Sequence, residues 1–143
     1  MHERVMAMEA LWTQAEAAFH GDMVSFDPVW LYPKPTQRPH PPILLGGSSD
    51  YSVKRVVEFC DGWLPLARSG FEGKEAVARL RQAASAAGRD FSTLSINIFA
   101  PPPDEAILAE YREAAIQRSF LLIPDLTRDE ILVVLDKYAR LMA

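Results

Sequence analysis

The sequence predicts an α/β fold that consists of four consecutive strand–helix units. From residue 43 onward, short apolar runs alternate with segments whose apolar residues recur every three or four positions. The apolar runs are continuous, which is typical of parallel strands covered on both faces. Two arrangements satisfy this pattern: half of a (β/α)8 TIM barrel, or a small open parallel sheet of the doubly wound type.

The residues before these units fall into two predicted segments. Residues 1–19 are predicted to form a helix, because apolar residues recur at spacings of three and four. Residues 20–42 are predicted to form an irregular loop, because six prolines fix φ and remove backbone donors. A loop of this length is uncommon inside a compact domain and is often functional. We expect residues 1–143 to form one partial barrel domain, with the four units in residues 43–143.

The first unit begins with a strand at residues 43–45 and continues into a helix. One helix face is predicted to be buried, and it consists of Val53, Val56, Val57 and Cys60. Cys60 on this face is interpreted as a small buried hydrophobe. Because it is the single cysteine of the chain, it excludes an internal disulfide and fits a reducing compartment.

The second unit combines a strand at residues 63–67 with a helix at residues 74–87. Pro65 indicates that strand pairing ends early, because proline cannot donate to the ladder. Gly88 is the expected C-terminal stop of the helix. The residues predicted to face inward are Val77, Leu80, Ala84 and Ala87.

The third and fourth units have strands at residues 94–99 and 120–123. Asp104 is predicted to cap the third helix, which extends to about residue 115. Thr127 and Glu130 are predicted to form a capping box for the last helix. The inward residues of these two helices are predicted to be Ile107, Leu108, Tyr111, Ile131, Leu135, Tyr138 and Met142.

A candidate phosphate site follows the first strand, at Gly46, Gly47, Ser48 and Ser49. In both arrangements the carboxyl ends of the strands hold the ligand. Glycines permit close backbone approach and positive φ, and the next helix offers unpaired amides and the positive end of its dipole. The alternative is a tight turn with a serine N-cap. Arg68 follows the second strand at the same edge, where a cation would meet a phosphate or an acidic substrate.

Most other polar residues are interpreted as structural. His40 is expected to be solvated in the proline-rich loop, Asp61 to cap or turn the chain, and Trp63 to belong to the core. Arg118 precedes the predicted last strand and therefore lies at the end opposite the ligand. Solvated helix faces are expected to carry Lys54, Arg55, Arg79 and Arg81.

Composition and charge exclude several classes of protein. The net charge of −4 gives no electrostatic support for binding nucleic acid. No apolar stretch approaches the roughly 20 residues that span a bilayer, and the N-terminus does not resemble a secretory signal. One cysteine and three isolated histidines form no metal-ligand pattern. We expect a soluble cytoplasmic protein.

Three stretches of the chain carry a recognisable combination of motifs. They are LWTQAEAAFHGDMVSF, YPKPTQRPHPPILLGGSSDYSVKRVVEFCDGWLP and AGRD. Together they resemble the C-terminal half of the luciferase-like monooxygenase superfamily, and most closely its branch that depends on the deazaflavin coenzyme F-420. The resemblance covers essentially the whole chain. Where the family usually has glycine before its last strand, this chain has Ala115, so that turn is expected to differ.

The resemblance implies a (β/α)8 barrel, of which this chain is the C-terminal half, and a cofactor that is FMN or coenzyme F-420. The cofactor phosphate would be held near the loop that Gly46, Gly47, Ser48 and Ser49 match. A small-molecule substrate would exchange hydride with the cofactor or be oxygenated with dioxygen, while the protein supplies position and electrostatics.

A half barrel has exposed sheet edges, which need a partner. We expect closure by a homodimer around a two-fold axis, or by an N-terminal half barrel that is missing from this chain. The chain is then either an oxidoreductase that acts in a completed barrel, or a non-catalytic module or truncated remnant that dimerises without turnover. Neither the catalytic residues, the substrate nor the choice between FMN and F-420 follows from the sequence.

Overall fold

The computed structural model describes residues 1–67 and 71–141, which divide into two compact units. The first unit is Met1–Ile43 and the second is Leu44–Ala143. Each unit has its own secondary structure and is described by itself. That both belong to one partial barrel domain stays a prediction.

The first unit is a helix followed by a β-hairpin. Helix α1 is His2–Thr13, and the antiparallel strands are β1, Ala17–His20, and β2, Ser25–Val29. The prediction of a helix through residue 19 was therefore wrong, as was that of an irregular segment at residues 25–29. Phe19 lies opposite Phe26 across the hairpin, with ring centroids 6.3 Å apart, so a non-local pairing outweighs the helical spacing.

Side chains of α1 and of the proline-rich segment hold the first unit together. Glu3 Oε1 accepts hydrogen bonds from the amides of Met23 and Val24 at 2.7 and 2.6 Å, which fixes the hairpin turn. Lys34 Nζ donates to two carbonyls near the end of α1. His40 is half-buried, with Nε2 3.7 Å from a Glu9 carboxylate oxygen, so the expectation of a solvated histidine was wrong.

The second unit contains a parallel four-stranded sheet, which confirms the predicted α/β class. Its strands, in spatial order, are β3 (Leu44–Leu45), β4 (Gly62–Trp63), β5 (Ser95–Phe99) and β6 (Arg118–Phe120). Its helices are α2 (Asp50–Phe59), α3 (Gly73–Ala86), α4 (Glu105–Glu113) and α5 (Arg128–Leu141), with a short 3₁₀ turn at Phe91–Thr93.

The helices α2, α3 and α4 share one core with a single face of the sheet. Trp63, Ile96 and Ile98 are buried in the same cluster as the apolar residues of these helices. On the opposite face, Leu66, Phe99 and Phe120 lie side by side in register and are 36%, 41% and 43% exposed. A doubly wound sheet carries helices on both faces, so this arrangement is that of a half barrel and the doubly wound alternative was wrong.

Strand boundaries follow the available backbone partners. Phe99 pairs with Phe120, and Ala100 then leaves the strand conformation with φ 57°. Residues 121–123 consequently have no partner in β5, and β6 ends two residues after Arg118 instead of beginning at residue 120. The first residue of β4, Gly62, leaves no room for a side chain. A Cβ at this position would lie 2.1 Å from Ser95 Oγ and 2.4 Å from the Ser95 carbonyl oxygen.

Helix caps and inward faces agree with the sequence predictions in α2, α3 and α4. Asp104 Oδ1 accepts from the Ile107 amide at 3.1 Å, and Gly88 ends α3 with φ 68°. Ala87 is exposed at the end of α3, so its predicted inward position was wrong. In α3 the buried residues include Val77, Leu80 and Ala84.

The last helix is covered less than the sequence predicts. Leu135 is 41% exposed, whereas Ile131 and Tyr138 are half-buried as expected on the inward side. Tyr138 donates its hydroxyl to the Leu122 carbonyl oxygen at 2.8 Å, which ties α5 to the segment after β6. Met142 lies outside the described residues. Across the described ranges, no helix combines the length and the apolar character needed to cross a membrane.

Candidate functional site

The glycine–serine loop lies at the carboxyl end of β3 and leads directly into α2. Gly47 has φ 92°, a left-handed conformation that favours glycine. A Cβ at this position would lie 2.6 Å from Ser52 Oγ, so both backbone conformation and space require glycine. Gly46 is less crowded, because its Cβ would meet the Leu64 carbonyl oxygen at 3.4 Å.

Ser49 is the N-cap of α2. Its Oγ accepts a hydrogen bond from the Ser52 amide at 3.2 Å and lies 2.9 Å from Ser52 Oγ. The structural alternative, a tight turn with a serine N-cap, is therefore present in the fold. The first amides of a helix have no intrahelical acceptor, so this end of α2 still favours an anion. A phosphate at Gly46, Gly47, Ser48 and Ser49 stays a prediction.

Trp63 connects the loop to the sheet core. Its indole Nε1–H donates to the Gly47 carbonyl oxygen at 2.7 Å, while the side chain is fully buried. The prediction of a core tryptophan is confirmed, and the hydrogen bond adds a second role. Packing of Trp63 in the core fixes where the loop carbonyl points.

Arg79 of α3 is a site residue that the sequence reasoning missed. One of its guanidinium nitrogens donates to the Ser48 carbonyl oxygen, and another lies 3.7 Å from an Asp50 carboxylate oxygen. Arg79 is exposed, as expected of a charge on a solvated helix face, but its contacts with the loop were not predicted. Nothing in the sequence pairs Arg79 of α3 with Ser48 of the loop, which lies 31 positions earlier, so only the packing of α3 against α2 reveals this contact.

An open cleft of about 790 Å³ extends from this loop, and we call it the Ser48 cleft. Its lining combines the loop with Arg79, Leu66 and Phe71, and with the carboxylates of Glu72 and Glu75. Arg79 favours an anion beside Ser48, whereas the two glutamates disfavour one. Glu75 lies four residues before Arg79 on α3 and therefore shares its helix face. Arg68, the other predicted binding residue, lies outside the described residues.

The remaining candidates have structural positions. The Asp61 carbonyl accepts from the Ser95 amide at 2.9 Å, which agrees with a residue that turns the chain into β4. Cys60 is 1% exposed and belongs to the buried core. Arg118 begins β6 at its amino end, away from the loop. Within residues 1–67 and 71–141, no three His, Cys, Asp or Glu side chains are grouped to hold a metal ion.

A parallel α/β half barrel with a glycine–serine loop at its carboxyl edge defines the class of this protein. The family model described as luciferase-like monooxygenase matches residues 1–137. The chain therefore belongs to the luciferase-like monooxygenase family.

Two relatives illustrate the range of the family. The uncharacterized protein Rv0953c of Mycobacterium tuberculosis is 33% identical over 145 aligned positions, which cover 100% of this chain and 50% of that protein. The FMNH(2)-dependent dimethylsulfone monooxygenase of Pseudomonas putida is 34% identical over 113 positions, or 76% of this chain and 31% of that protein. The chain thus spans about half the length, or less, of these relatives.

Solved structures share the fold. Monooxygenase RslO1 from Streptomyces bottropensis superposes with a TM-score of 0.69 and 19% identity, over 96% of this chain and 58% of that one. The coenzyme F420-dependent tetrahydromethanopterin reductase from Methanopyrus kandleri has a TM-score of 0.57 and 19% identity, over 73% of this chain and 31% of its own. Both likenesses concern the fold alone.

Proposed function

We propose that this chain holds the phosphate of FMN or coenzyme F-420 in a luciferase-like oxidoreductase, at the loop from Gly46 to Ser49. The conformation of Gly47 carries the proposal, because a side chain there would close the space beside the α2 N-terminus. Similar proteins include an FMNH(2)-dependent monooxygenase and an F420-dependent reductase, which supports either cofactor.

The chemistry of the loop fits a phosphate. The first amides of α2 and the hydroxyl of Ser48 would donate to it, and Arg79 lines the same cleft. The carboxylates of Glu72 and Glu75 line the same cleft and would weaken the attraction that Arg79 offers to an anion. When bound, the cofactor would supply hydride transfer or oxygen activation, and the protein would hold it in place.

A planar cofactor ring requires an apolar surface at the same edge of the sheet. The row of Leu66, Phe99 and Phe120 offers one, because these side chains are partly exposed on the face that α2, α3 and α4 leave open. We infer that this row contacts the ring or a second half barrel. The second half would come from another copy of the chain or from an N-terminal half barrel.

One observation supports a cytoplasmic location. Cys60 is 1% exposed and is the single cysteine of the chain, which suits a reducing cytoplasm. We propose that the protein acts there on a small-molecule substrate.

A titration of the purified chain with FMN and with F-420, monitored by cofactor fluorescence at two protein concentrations, tests the cofactor proposal. We expect micromolar binding that strengthens as protein concentration rises, because assembly of two halves would complete the site. Binding that does not change with protein concentration would mean that the loop of one chain holds the cofactor without a second half barrel. A folded chain that binds neither cofactor, alone or mixed with a half barrel from a longer relative, would overturn the proposal.

A second function, a non-catalytic half-barrel module, has one observation in its favour. The polar groups of the loop already have internal partners: Ser49 caps α2 and the Ser48 carbonyl accepts from Arg79. In that case self-association would proceed without any cofactor, and substitutions in the loop would change stability only. The same titration, combined with sedimentation analysis, distinguishes the two functions.

A further inference from the structure

The open face of the four-stranded sheet carries side chains in two layers. The layer at the carboxyl edge consists of Leu66, Phe99 and Phe120, which pair in register and are partly exposed. In the next layer, toward the amino ends of the strands, Arg118 pairs with Asn97. Both layers lie on one face of the sheet, because residues two positions apart on a strand share a face. We call the surface formed by these five residues the inner face.

The two polar residues of the inner face differ in burial. Asn97 is 2% exposed, and its side-chain amide donates to Ser95 Oγ at 3.3 Å and to the Trp63 carbonyl oxygen at 3.5 Å. Arg118, by contrast, is exposed. Within the part of the chain that the structure describes, the ion pairs join other side chains, and Arg118 takes part in none of them. Water therefore solvates its guanidinium while the half barrel is open.

The inner face contains no carboxylate that could neutralise Arg118. Its other four residues are uncharged, and so are Gly62 and Ser95, which continue the face toward the amino ends of the strands. Residues 68–70, which follow the second strand and lie outside the described ranges, are Arg, Ser and Gly and include no acidic side chain. A charge that loses its water without gaining a partner is strongly destabilising. A half barrel that covers the inner face should therefore bring a carboxylate to Arg118.

A second copy of the chain meets this requirement poorly. The end strands of the described sheet are β3 and β6, so a two-fold axis along the barrel would place β6 of one copy beside β3 of the other. The same axis brings the two Arg118 residues to one height on opposite walls of the interior. Two like charges would then be enclosed without a carboxylate. We expect an unchanged second copy to close the barrel only weakly.

We propose that the inner face is completed by a half barrel whose own inner face carries a carboxylate at the height of Arg118. Apolar side chains of that partner would cover Leu66, Phe99 and Phe120, and the carboxylate would pair with Arg118 inside the closed barrel. This chain matches 50% of the relative from Mycobacterium tuberculosis, so about half of that protein is left for such a partner. The inference rests on the closure of the half barrel proposed above and adds the chemistry of the second half.

Sedimentation of the purified chain, without cofactor, tests the proposal by a charge swap. Arg118→Glu supplies a carboxylate at the height where the partner should have one. We expect wild type and Arg118→Glu to associate with each other at least about 10-fold more tightly than either associates with itself. Mixed association that is no tighter than the two self-associations would overturn the proposal.

Two further variants show whether the effect belongs to the inner face. Lys54→Glu makes the same change of charge at an exposed position of α2, and it should show no preference for wild type. Arg118→Met removes the charge and keeps a long side chain, so we expect its self-association to be at least about 10-fold tighter than that of wild type. An equal preference with Lys54→Glu, or no gain in Arg118→Met, would reject the role of Arg118. If Arg118→Glu does not fold, the comparison of Arg118→Met with wild type decides.

The association is measured without FMN or F-420, so its result is separate from the cofactor titration. If wild type prefers Arg118→Glu and neither cofactor binds, the partner chemistry stands and the proposed oxidoreductase function fails. If a cofactor binds and the mixture shows no preference, the reverse holds.

Discussion

The indole Nε1–H of Trp63 donates a 2.7 Å hydrogen bond to the carbonyl oxygen of Gly47. This bond joins the centre of the hydrophobic core to the most constrained residue of the candidate site. Trp63 is fully buried between the sheet and its helices, so its indole has one available orientation. The position of the loop therefore depends on the core, and a change in the core should alter ligand binding at the loop.

Trp63→Phe removes the indole donor and retains an aromatic side chain in the core. We expect a loss of about 1–3 kcal/mol in the free energy of unfolding, from the lost hydrogen bond and the smaller ring. We also expect weaker cofactor binding, because the Gly47 carbonyl loses the hydrogen bond that fixes its orientation. Chemical denaturation and the fluorescence titration measure the two effects. Trp30→Phe is the control, since Trp30 is 76% exposed. Unchanged cofactor binding in Trp63→Phe would show that the hydrogen bond from Trp63 does not affect binding at the loop.

Gly47→Ala and Gly46→Ala form a matched pair of substitutions. Alanine at position 47 faces both a positive φ and contact with Ser52 Oγ, so we expect a destabilisation of about 1–3 kcal/mol and loss of cofactor binding. Alanine at position 46 meets only an ordinary contact and should cost less.

A double variant distinguishes the two causes at position 47. Gly47→Ala combined with Ser52→Ala removes the contact with Ser52 Oγ but keeps the positive φ and the Cβ of residue 52 at 3.2 Å, so we expect stability to recover only in part. Full recovery would show that backbone conformation contributes nothing there. Thermal unfolding of the three variants and the wild type measures the comparison.

The four strand–helix units were predictable because their signals are local. Apolar spacing, the aspartate cap at Asp104 and the glycine stop at Gly88 each act within a few residues, and the structure contains all of them. The hairpin of the first unit was not predictable in this way. The spacing of apolar residues in β1 predicts a helix. The segment is a strand because it pairs with β2.

The candidate site was predictable in its backbone and not in its side-chain contacts. Glycines and serines after a strand indicate a loop that approaches a ligand, and the φ of Gly47 agrees with that reasoning. The contacts of Trp63 and Arg79 join residues 16 and 31 positions apart in the sequence. Such contacts depend on how helices and strands pack, which spacing alone does not give.

Thr127→Ala should raise the pKa of Glu130. The Thr127 hydroxyl and amide both donate to Glu130 Oε2, at 2.6 and 3.0 Å, and these bonds hold the pKa of Glu130 below its ordinary value of 4.5. A carboxyl whose folded-state pKa is lowered stabilises the fold above its unfolded-state pKa, and this contribution disappears as pH falls through the folded-state value.

A side-chain carboxyl titration by NMR measures this pKa. In the wild type we expect a midpoint below 4.5, and in Thr127→Ala a shift towards that value, because only the amide donor remains. Glu130→Gln should remove the part of the pH dependence of stability that Glu130 contributes. An unchanged midpoint in Thr127→Ala would assign the lowered pKa to another cause.

Arg79→Gln should weaken cofactor binding more than it weakens the fold. Arg79 donates to the Ser48 carbonyl and lies 3.7 Å from Asp50, but its side chain is 43% exposed, so we expect a stability cost of about 1 kcal/mol or less. Loss of the cation beside the loop should reduce affinity for FMN or F-420 about 10-fold, and Arg79→Lys should recover part of it. Arg81→Gln on the same helix is the control, because Arg81 contacts the Phe91 ring instead. Equal losses of affinity in both glutamine variants would indicate a general charge effect and not a role for Arg79 at the loop.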